Sequence, residues 1–371
     1  MKVQNYKCRA CGAPLRFDGE EQKLVCDYCG TSYDISEYES PEEKSQPAGE
    51  TAESRSGQWE ENTGNEGWAE EYGMHAYICP SCGAELICDR ETVATSCPYC
   101  GNPAVIPGKF SEDCRRPDFV LPFRLSKEQA AAQLKKHYRG KKLLPKNFSD
   151  ANHIQEIKGI YVPFWLFDGK SRGDAHFACS NSSSSRRGDY IVTTTRHYDV
   201  YRSGEMNFSG LPVDGSSKMP DDYMDSIEPY DYRDLKSFSG AYLPGFLADK
   251  YDVSSSDAAE RAEVRFRKSF TDAMNRTVRG YETVLPAGGH YDLVPGRISY
   301  ALMPVWLLNT KWKDKTYLFA VNGQTGKMAG DLPIDGKKQN IWFFGLLAGI
   351  TALLSLLFTG PLSSFLQGLF G

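Results

Sequence analysis

Eight of the eleven cysteines in this 371-residue chain repeat one pattern, and no other feature limits its fold as tightly. Cys8, Cys11, Cys26 and Cys29 read C-x2-C-x14-C-x2-C, and Cys79, Cys82, Cys97 and Cys100 read the same. Glycine follows the second cysteine of every pair, at Gly12, Gly30, Gly83 and Gly101. A C-x2-C pair turns two sulfurs toward one metal, and the glycine permits the left-handed turn that closes the knuckle. Four thiolates complete a tetrahedral zinc site and leave no open position for hydrolysis. The sequence therefore predicts two structural Zn2+ sites in two zinc ribbons. A redox reading of C-x2-C lacks the thioredoxin-like βαβ context.

Length suggests two or three domains. The boundaries expected are ribbon one over 1–36, an acidic flexible linker over 37–74, ribbon two over 75–107 and a duplicated α+β domain over 108–335. The linker is rich in Glu, Ser, Gly and Pro and nearly free of aliphatic residues, so it cannot bury enough apolar surface to offset its ordering entropy. Trp59 and Trp68 stand out in it, either as contact points for a partner or as rings packed on a neighbouring domain.

Ser126, with Gln129 three residues on, opens a helix with a capping box, and Ser255 or Ser256 opens a second. Tyr190–Tyr201 and Thr316–Val321 read as strands, the latter ending in a tight turn at Asn322-Gly323. YVPFWLFDGK (Tyr161–Lys170) resembles LMPVWLLNTK (Leu302–Lys311), and each segment follows a predicted helix. Two related halves, each a helix laid on an antiparallel sheet, account for this; chance likeness of two apolar strands is the alternative. Ser203–Lys250, rich in Pro, Asp and Tyr, reads as an irregular excursion between the halves.

Ile341–Phe358 is uncharged over eighteen residues, about 27 Å of helix, close to a bilayer core. This predicts a transmembrane helix over 341–358 with a short apolar tail over 359–371. Lys337 and Lys338 precede it and no charge follows, so a single-pass cell-membrane protein with its N-terminal bulk in the cytoplasm is expected. No N-terminal signal peptide is visible. Gly345-x-x-x-Gly349 offers a face for close helix contact.

No catalytic motif emerges, so a non-enzyme is expected. Gly323–Lys327 (GQTGK) has its glycines too close for a phosphate loop and reads as a hairpin turn. His176 and His197 lie near Asp174 and Asp199, an arrangement that is usually structural on strands. Asp221, Asp222, Asp225, Glu228 and Asp231 are candidates for calcium but lack EF-hand spacing. Cys88, Cys114 and Cys179 have no evident partners and read as buried thiols. Neither ribbon clusters Lys and Arg as phosphate contacts require, and net charge is −5, so protein partners are favoured over nucleic acid.

Paired ribbons, the IYVPFWLF run (Ile160–Phe167), LPVDGS (Leu211–Ser216), SIEPYD (Ser226–Asp231) and YLPGF (Tyr242–Phe246) give the chain a family likeness. It resembles bacterial membrane-anchored double zinc-ribbon proteins labelled transcription-factor-IIB-type and sometimes primosomal helicase homologues. No Walker motif supports the helicase label. The resemblance implies company with SPFH/flotillin-like and phage-shock-type membrane-stress proteins. The resulting expectation is an α+β chain: two small zinc ribbons, a repeated helix-on-antiparallel-sheet domain and a C-terminal transmembrane helix. Its expected function is that of a non-catalytic, membrane-anchored adaptor recruiting protein partners through cytoplasmic ribbons. The alternative is a membrane-tethered nucleic-acid-binding zinc-ribbon protein.

Overall fold

The computed structural model describes residues 6–39, 58–61, 68, 72–89, 96–103, 105–108, 115–145, 148, 157–313 and 315–359. Strands β1 (Arg16–Asp18), β2 (Lys23–Val25) and β3 (Ser32–Tyr33) form a small antiparallel meander. The other strands join one mixed, 13-stranded sheet. In chain order these are β4 (Glu60–Glu61), β5 (His75–Ile78), β6 (Glu85–Cys88), β7 (Ile106–Gly108), β8 (Phe119–Val120), β9 (Lys158–Arg187) and β10 (Tyr190–Asp214). They continue as β11 (Lys236–Ser237), β12 (Leu247–Asp249), β13 (Thr283–Gly288), β14 (Tyr291–Trp312), β15 (Lys315–Asn322) and β16 (Met328–Gly330). The α-helices among the described residues are α1 (Lys127–Tyr138), α2 (Asp221–Ile227), α3 (Ser255–Thr277) and α4 (Gly336–Thr359).

β9 and β14 pair antiparallel at the centre of the sheet. Side chains alternate between faces along a strand, yet here both faces are apolar. Tyr161, Trp165 and Phe167 share one core with Tyr300, Leu302, Trp306 and Leu308. Ile160, Val162, Phe164 and Leu166 share the opposite core with Ala301, Met303, Val305 and Leu307. Burying each large apolar side chain contributes about 1.5–3 kcal/mol, so both faces must be covered. α1, α3 and the first ribbon cover one face; α2 and the second ribbon cover the other.

The two similar segments are related by a local twofold. Pro163 faces Leu302 and Pro304 faces Tyr161 across the β9–β14 ladder. Trp165 pairs with Val213 of β10, as Trp306 pairs with Val321 of β15. Gly215 N–H donates to Pro163 O and Gly323 N–H to Pro304 O, both at 2.8 Å. The Trp165 indole donates to Val253 O and the Trp306 indole to Leu125 O, both at 3.0 Å. Each of these carbonyls lies one residue before a serine N-cap, Ser254 of α3 or Ser126 of α1. β8 runs parallel to β14 as β12 runs parallel to β9. The halves are interlaced: α1, early in the chain, packs on the late β14–β15 hairpin, and α3 packs on the early β9–β10 hairpin.

Symmetry breaks where ribbon one docks. Tyr300 pairs with Trp165, but the counterpart facing Trp306 is Gly159. A Cβ on Gly159 would lie 2.5 Å from the Phe246 ring, which occupies the vacated space. Phe246 stacks on Phe123 at 4.1 Å and 8°, and Phe17 of β1 packs against Phe246 and Tyr242.

Several expectations are corrected. The domain over 108–335 is not a separate repeated helix-on-antiparallel-sheet body, because β5, β6 and β7 of ribbon two extend the same mixed sheet and β8 and β12 join it in parallel. The expected transmembrane helix, and with it the single-pass cell-membrane placement, is also corrected. Among the described residues no helix is long and apolar enough to cross a membrane. α4 spends its first turn on Gly336, Lys337, Lys338, Gln339 and Asn340. Much of the expected linker, Cys114 and the tail beyond 359 lie outside the described residues. Trp59 and Trp68 do pack on the body: Trp59 lies 5.0 Å from Phe167, and Trp68 lies 5.1 Å from Phe238. The excursion begins later than expected, since β10 runs to Asp214.

The twofold makes a quantitative demand. Trp165→Phe and Trp306→Phe each remove one indole–carbonyl hydrogen bond at equivalent places. Each should lower unfolding free energy by about 1–2 kcal/mol, measured by chemical denaturation, with the two costs similar.

Candidate metal centres

Four knuckles of one geometry hold the eight cysteines. The Gly12, Gly30, Gly83 and Gly101 N–H groups donate to the carbonyls of Cys8, Cys26, Cys79 and Cys97 at 2.8–3.0 Å. All four glycines have φ between +72° and +77°, a region other residues enter at a cost. Each turn bends a pair of sulfurs toward the facing pair. In ribbon one Cys8–Cys29 and Cys11–Cys26 sulfurs lie 3.5 Å apart; in ribbon two Cys79–Cys100 and Cys82–Cys97 lie 3.6 Å apart. Within each quartet all sulfurs fall within 4.8 Å of one another. A Zn–S bond of ~2.3 Å implies a tetrahedral edge of about 3.8 Å, which these spacings fit. The two clusters are thus two structural zinc sites.

The thiols are poised for a cation. The Tyr33 hydroxyl, 3.3 Å from Cys8 Sγ, leads in drawing that thiol down to about 6, helped by the Cys11 and Ala10 amides. Although burial opposes it, the Cys82 and Ser81 amides hold the Cys79 thiol at about 7. Their neighbours go the other way. Against the Ala13 amide, desolvation and the sibling sulfurs push Cys11 up to about 12. Four such sulfurs ionise together only around a positive ion, which zinc supplies when bound.

The ribbons differ in how they meet the body. Cys26-Asp27-Tyr28-Cys29 corresponds to Cys97-Pro98-Tyr99-Cys100. Tyr99 is 6% exposed and donates to Asp249 Oδ2 at 2.6 Å, an oxygen that also accepts from Ser216 Oγ at 2.6 Å. The Lys158 ammonium donates to Ser96 O at 2.8 Å, and the Asn309 amide donates to Tyr99 O. Tyr28, at the same place in ribbon one, is 85% exposed. Ribbon one is anchored from its opposite side, where Phe17 N–H donates to Pro244 O at 3.0 Å and the Gln22 amide donates to Phe123 O at 2.7 Å. Sequence reasoning missed Asp249 and Ser216, since nothing in LADK or DGSS marks a socket for a tyrosine 150 residues away.

The remaining candidates lie away from the two cysteine quartets. Arg261 lies 2.9 Å from Asp221, and Arg265 lies 2.6 Å from Glu228 and 3.3 Å from Asp225, which neutralises much of the acidic cluster. Asp231 is engaged by Arg233 at 2.5 Å. His176 lies 3.5 Å from Asp174 and 4.9 Å from the Tyr201 ring, half-exposed on β9, while His197 lies on the exposed part of β10. Gly323–Lys327 forms the turn after β15, with Gly326 N–H donating to Asn322 O. Cys88 and Cys179 are buried, and burial pushes the Cys88 thiol up to about 12.

A family model described as Trm112p-like protein matches residues 7–37, the span of ribbon one. The uncharacterized protein YdjG of Bacillus subtilis (strain 168) is 33% identical over 329 residues, covering 76% of this chain and 96% of YdjG. No solved structure gives a significant match.

Elemental analysis of the purified chain should find two zinc ions per molecule, and one in Cys26→Ser or Cys97→Ser. A second expectation concerns Asp249, whose carboxyl burial raises from 3.8 to about 7. A raised carboxyl binds its proton more tightly folded than unfolded, so its penalty is absent below pH 3.8 and grows as pH rises toward about 7. Asp249→Asn should therefore gain on the parent chain by about 1 kcal/mol between about pH 6 and about pH 8, read from paired denaturation curves.

Proposed function

The chain belongs to the family of Bacillus subtilis YdjG, and on that footing we propose that it is a non-catalytic adaptor that recruits protein partners through ribbon one. One observation carries this reading: two knuckles of the same sequence pattern have opposite fates. The second knuckle of ribbon two is spent inside the chain on Asp249, whereas its counterpart in ribbon one presents Tyr28 to solvent beside the exposed Cys29 and Gly30. A tyrosine offers a large, stiff contact area with a polar tip, the kind of side chain that dominates interfaces. The closed four-sulfur sites support binding rather than catalysis. Charge supports protein over nucleic acid, because Arg9 on the first knuckle is held 3.4 Å from Glu37 and 4.7 Å from the Tyr38 ring.

The resemblance to double zinc-ribbon proteins supplies candidate partners, flotillin-like (SPFH) and phage-shock-type proteins. The test uses the immobilised, zinc-loaded full chain and purified proteins of those two classes. Tyr28→Ala should keep two zincs and weaken capture by about tenfold or more. Equal capture by the parent and the variant, at equal zinc content, would remove the knuckle from the proposal.

A further inference from the structure

β9 and β10 run on together past the rest of the sheet. β13 pairs with β9 no further out than Ser180, and among the described residues β10 pairs with β9 alone. Beyond that point residues 182–199 form a two-stranded arm in which every residue is exposed. A lone hairpin is marginally stable in water, so the arm keeps its shape as the continuation of strands anchored in the core.

The two faces of the arm differ. On one, Ser182 and Thr195 share a hydrogen bond at 3.0 Å, and Ser184 and Thr193 share another at 2.8 Å, so these hydroxyls engage one another. The opposite face sets Ser183 against Thr194 and Ser185 against Val192, with Arg187 and Arg196 toward its two ends. Among the described residues Ser183, Ser185, Thr194, Arg187 and Arg196 make no side-chain hydrogen bond or ion pair. The arm has no carboxylate on this face: Asp189 lies in the turn and Asp199 on the other side. Positive charge continues at the root. Val278 packs with Phe177 and Cys179, and the Tyr281 ring lies 5.2 Å from that of Tyr198, which puts the end of α3 on the same side. Arg276 and Arg279 are exposed there.

We propose that this face of the arm binds duplex DNA, lying in the major groove. That groove is about 12 Å wide and admits a two-stranded ribbon. The side chains on offer are those that meet DNA: arginine for phosphate or guanine, serine and threonine for phosphate or any base edge, Val192 for a thymine methyl. Unengaged hydroxyls and unpaired arginines with no carboxylate among them make a donor-rich, cationic face. Such a face complements a phosphate-lined groove better than the mixed charges of a protein surface. The net charge of the whole chain is −5, so the attraction is local to the arm and sensitive to salt. The inference goes beyond recruitment by the ribbon-one knuckle and stands without it, since neither ribbon takes part.

The zinc-loaded full chain is titrated by anisotropy into a fluorescein-labelled, mixed-sequence DNA duplex. Saturable binding is expected, with an association constant that falls at least about tenfold between about 50 and about 200 mM salt. Arg187→Ala combined with Arg196→Ala should weaken it at least about tenfold, and Arg186→Ala on the other face by less than about threefold. Substitutions at such exposed positions cost little stability, which denaturation curves check. Guanine N7 atoms, which face the major groove, should be protected from dimethyl sulfate. An RNA duplex, whose major groove is too narrow to enter, should bind at least about tenfold more weakly. No saturation, unchanged affinity in the double variant, unprotected guanines or equal binding of RNA would overturn the proposal. Arginine-dependent binding to polyglutamate or to phosphatidylserine vesicles, with none to DNA, would overturn it too and assign the arm to an acidic polypeptide or a lipid surface.

Discussion

The antiparallel ladder between β9 and β14 is the constraint on which the rest of the molecule depends. Over Ile160–Phe167 and Tyr300–Leu308 both strands are apolar on both faces, so this stretch cannot lie at a surface, and a single ladder commits the chain to layers on either side. The helices answer that demand on one face, and the excursion that carries α2 helps answer it on the other. The zinc ribbons are recruited to the same task. Phe17 and Leu24 enter one core and Leu86 and Tyr99 enter the other, so metal-held modules too small for cores of their own cover part of a shared one.

Much of this was legible in the sequence, for reasons that differ by element. The cysteine quartets were readable because metal ligation fixes residue type and spacing together. The starts of α1 and α3 were readable within a residue because a serine cap is a local device: Ser126 with Gln129, and Ser254 beside the expected Ser255. The likeness of YVPFWLFDGK and LMPVWLLNTK was read as duplication, and the two segments make equivalent indole–carbonyl hydrogen bonds. What stayed hidden was which helix serves which hairpin, because local signals do not encode a pairing that is exchanged between halves. The apolar run at 341 read as a membrane span, yet among the described residues no helix is long and apolar enough to cross a membrane.

The ribbons show how one motif divides its labour. Their quartets have nearly the same sulfur spacings, so the metal does not distinguish them. The difference lies in what stands opposite the second knuckle. Asp249 is buried and charged only at a cost, yet two hydroxyls converge on one of its oxygens, and the socket thereby selects a phenol. Ribbon one instead faces the body with its β1–β2 hairpin, where Gly159 has made room, and this turns both of its knuckles outward.

The interlacing of the halves governs how the chain can be made. The Trp165 indole reaches forward 88 residues to the α3 cap, but the α1 cap waits for Trp306, 181 residues later. During synthesis α1 therefore leaves the ribosome with its apolar stripe, Ala130, Leu134 and Tyr138, long before its own hairpin exists. β4 likewise has no strand to pair with until β14 arrives, and β8 lacks one of its two neighbours. Contacts this distant in sequence slow folding and prolong the exposure of unpaired edges. A chain built this way has no early resting point at its midpoint, and a nascent polypeptide stalled before residue 300 would be a client for chaperones rather than half a protein.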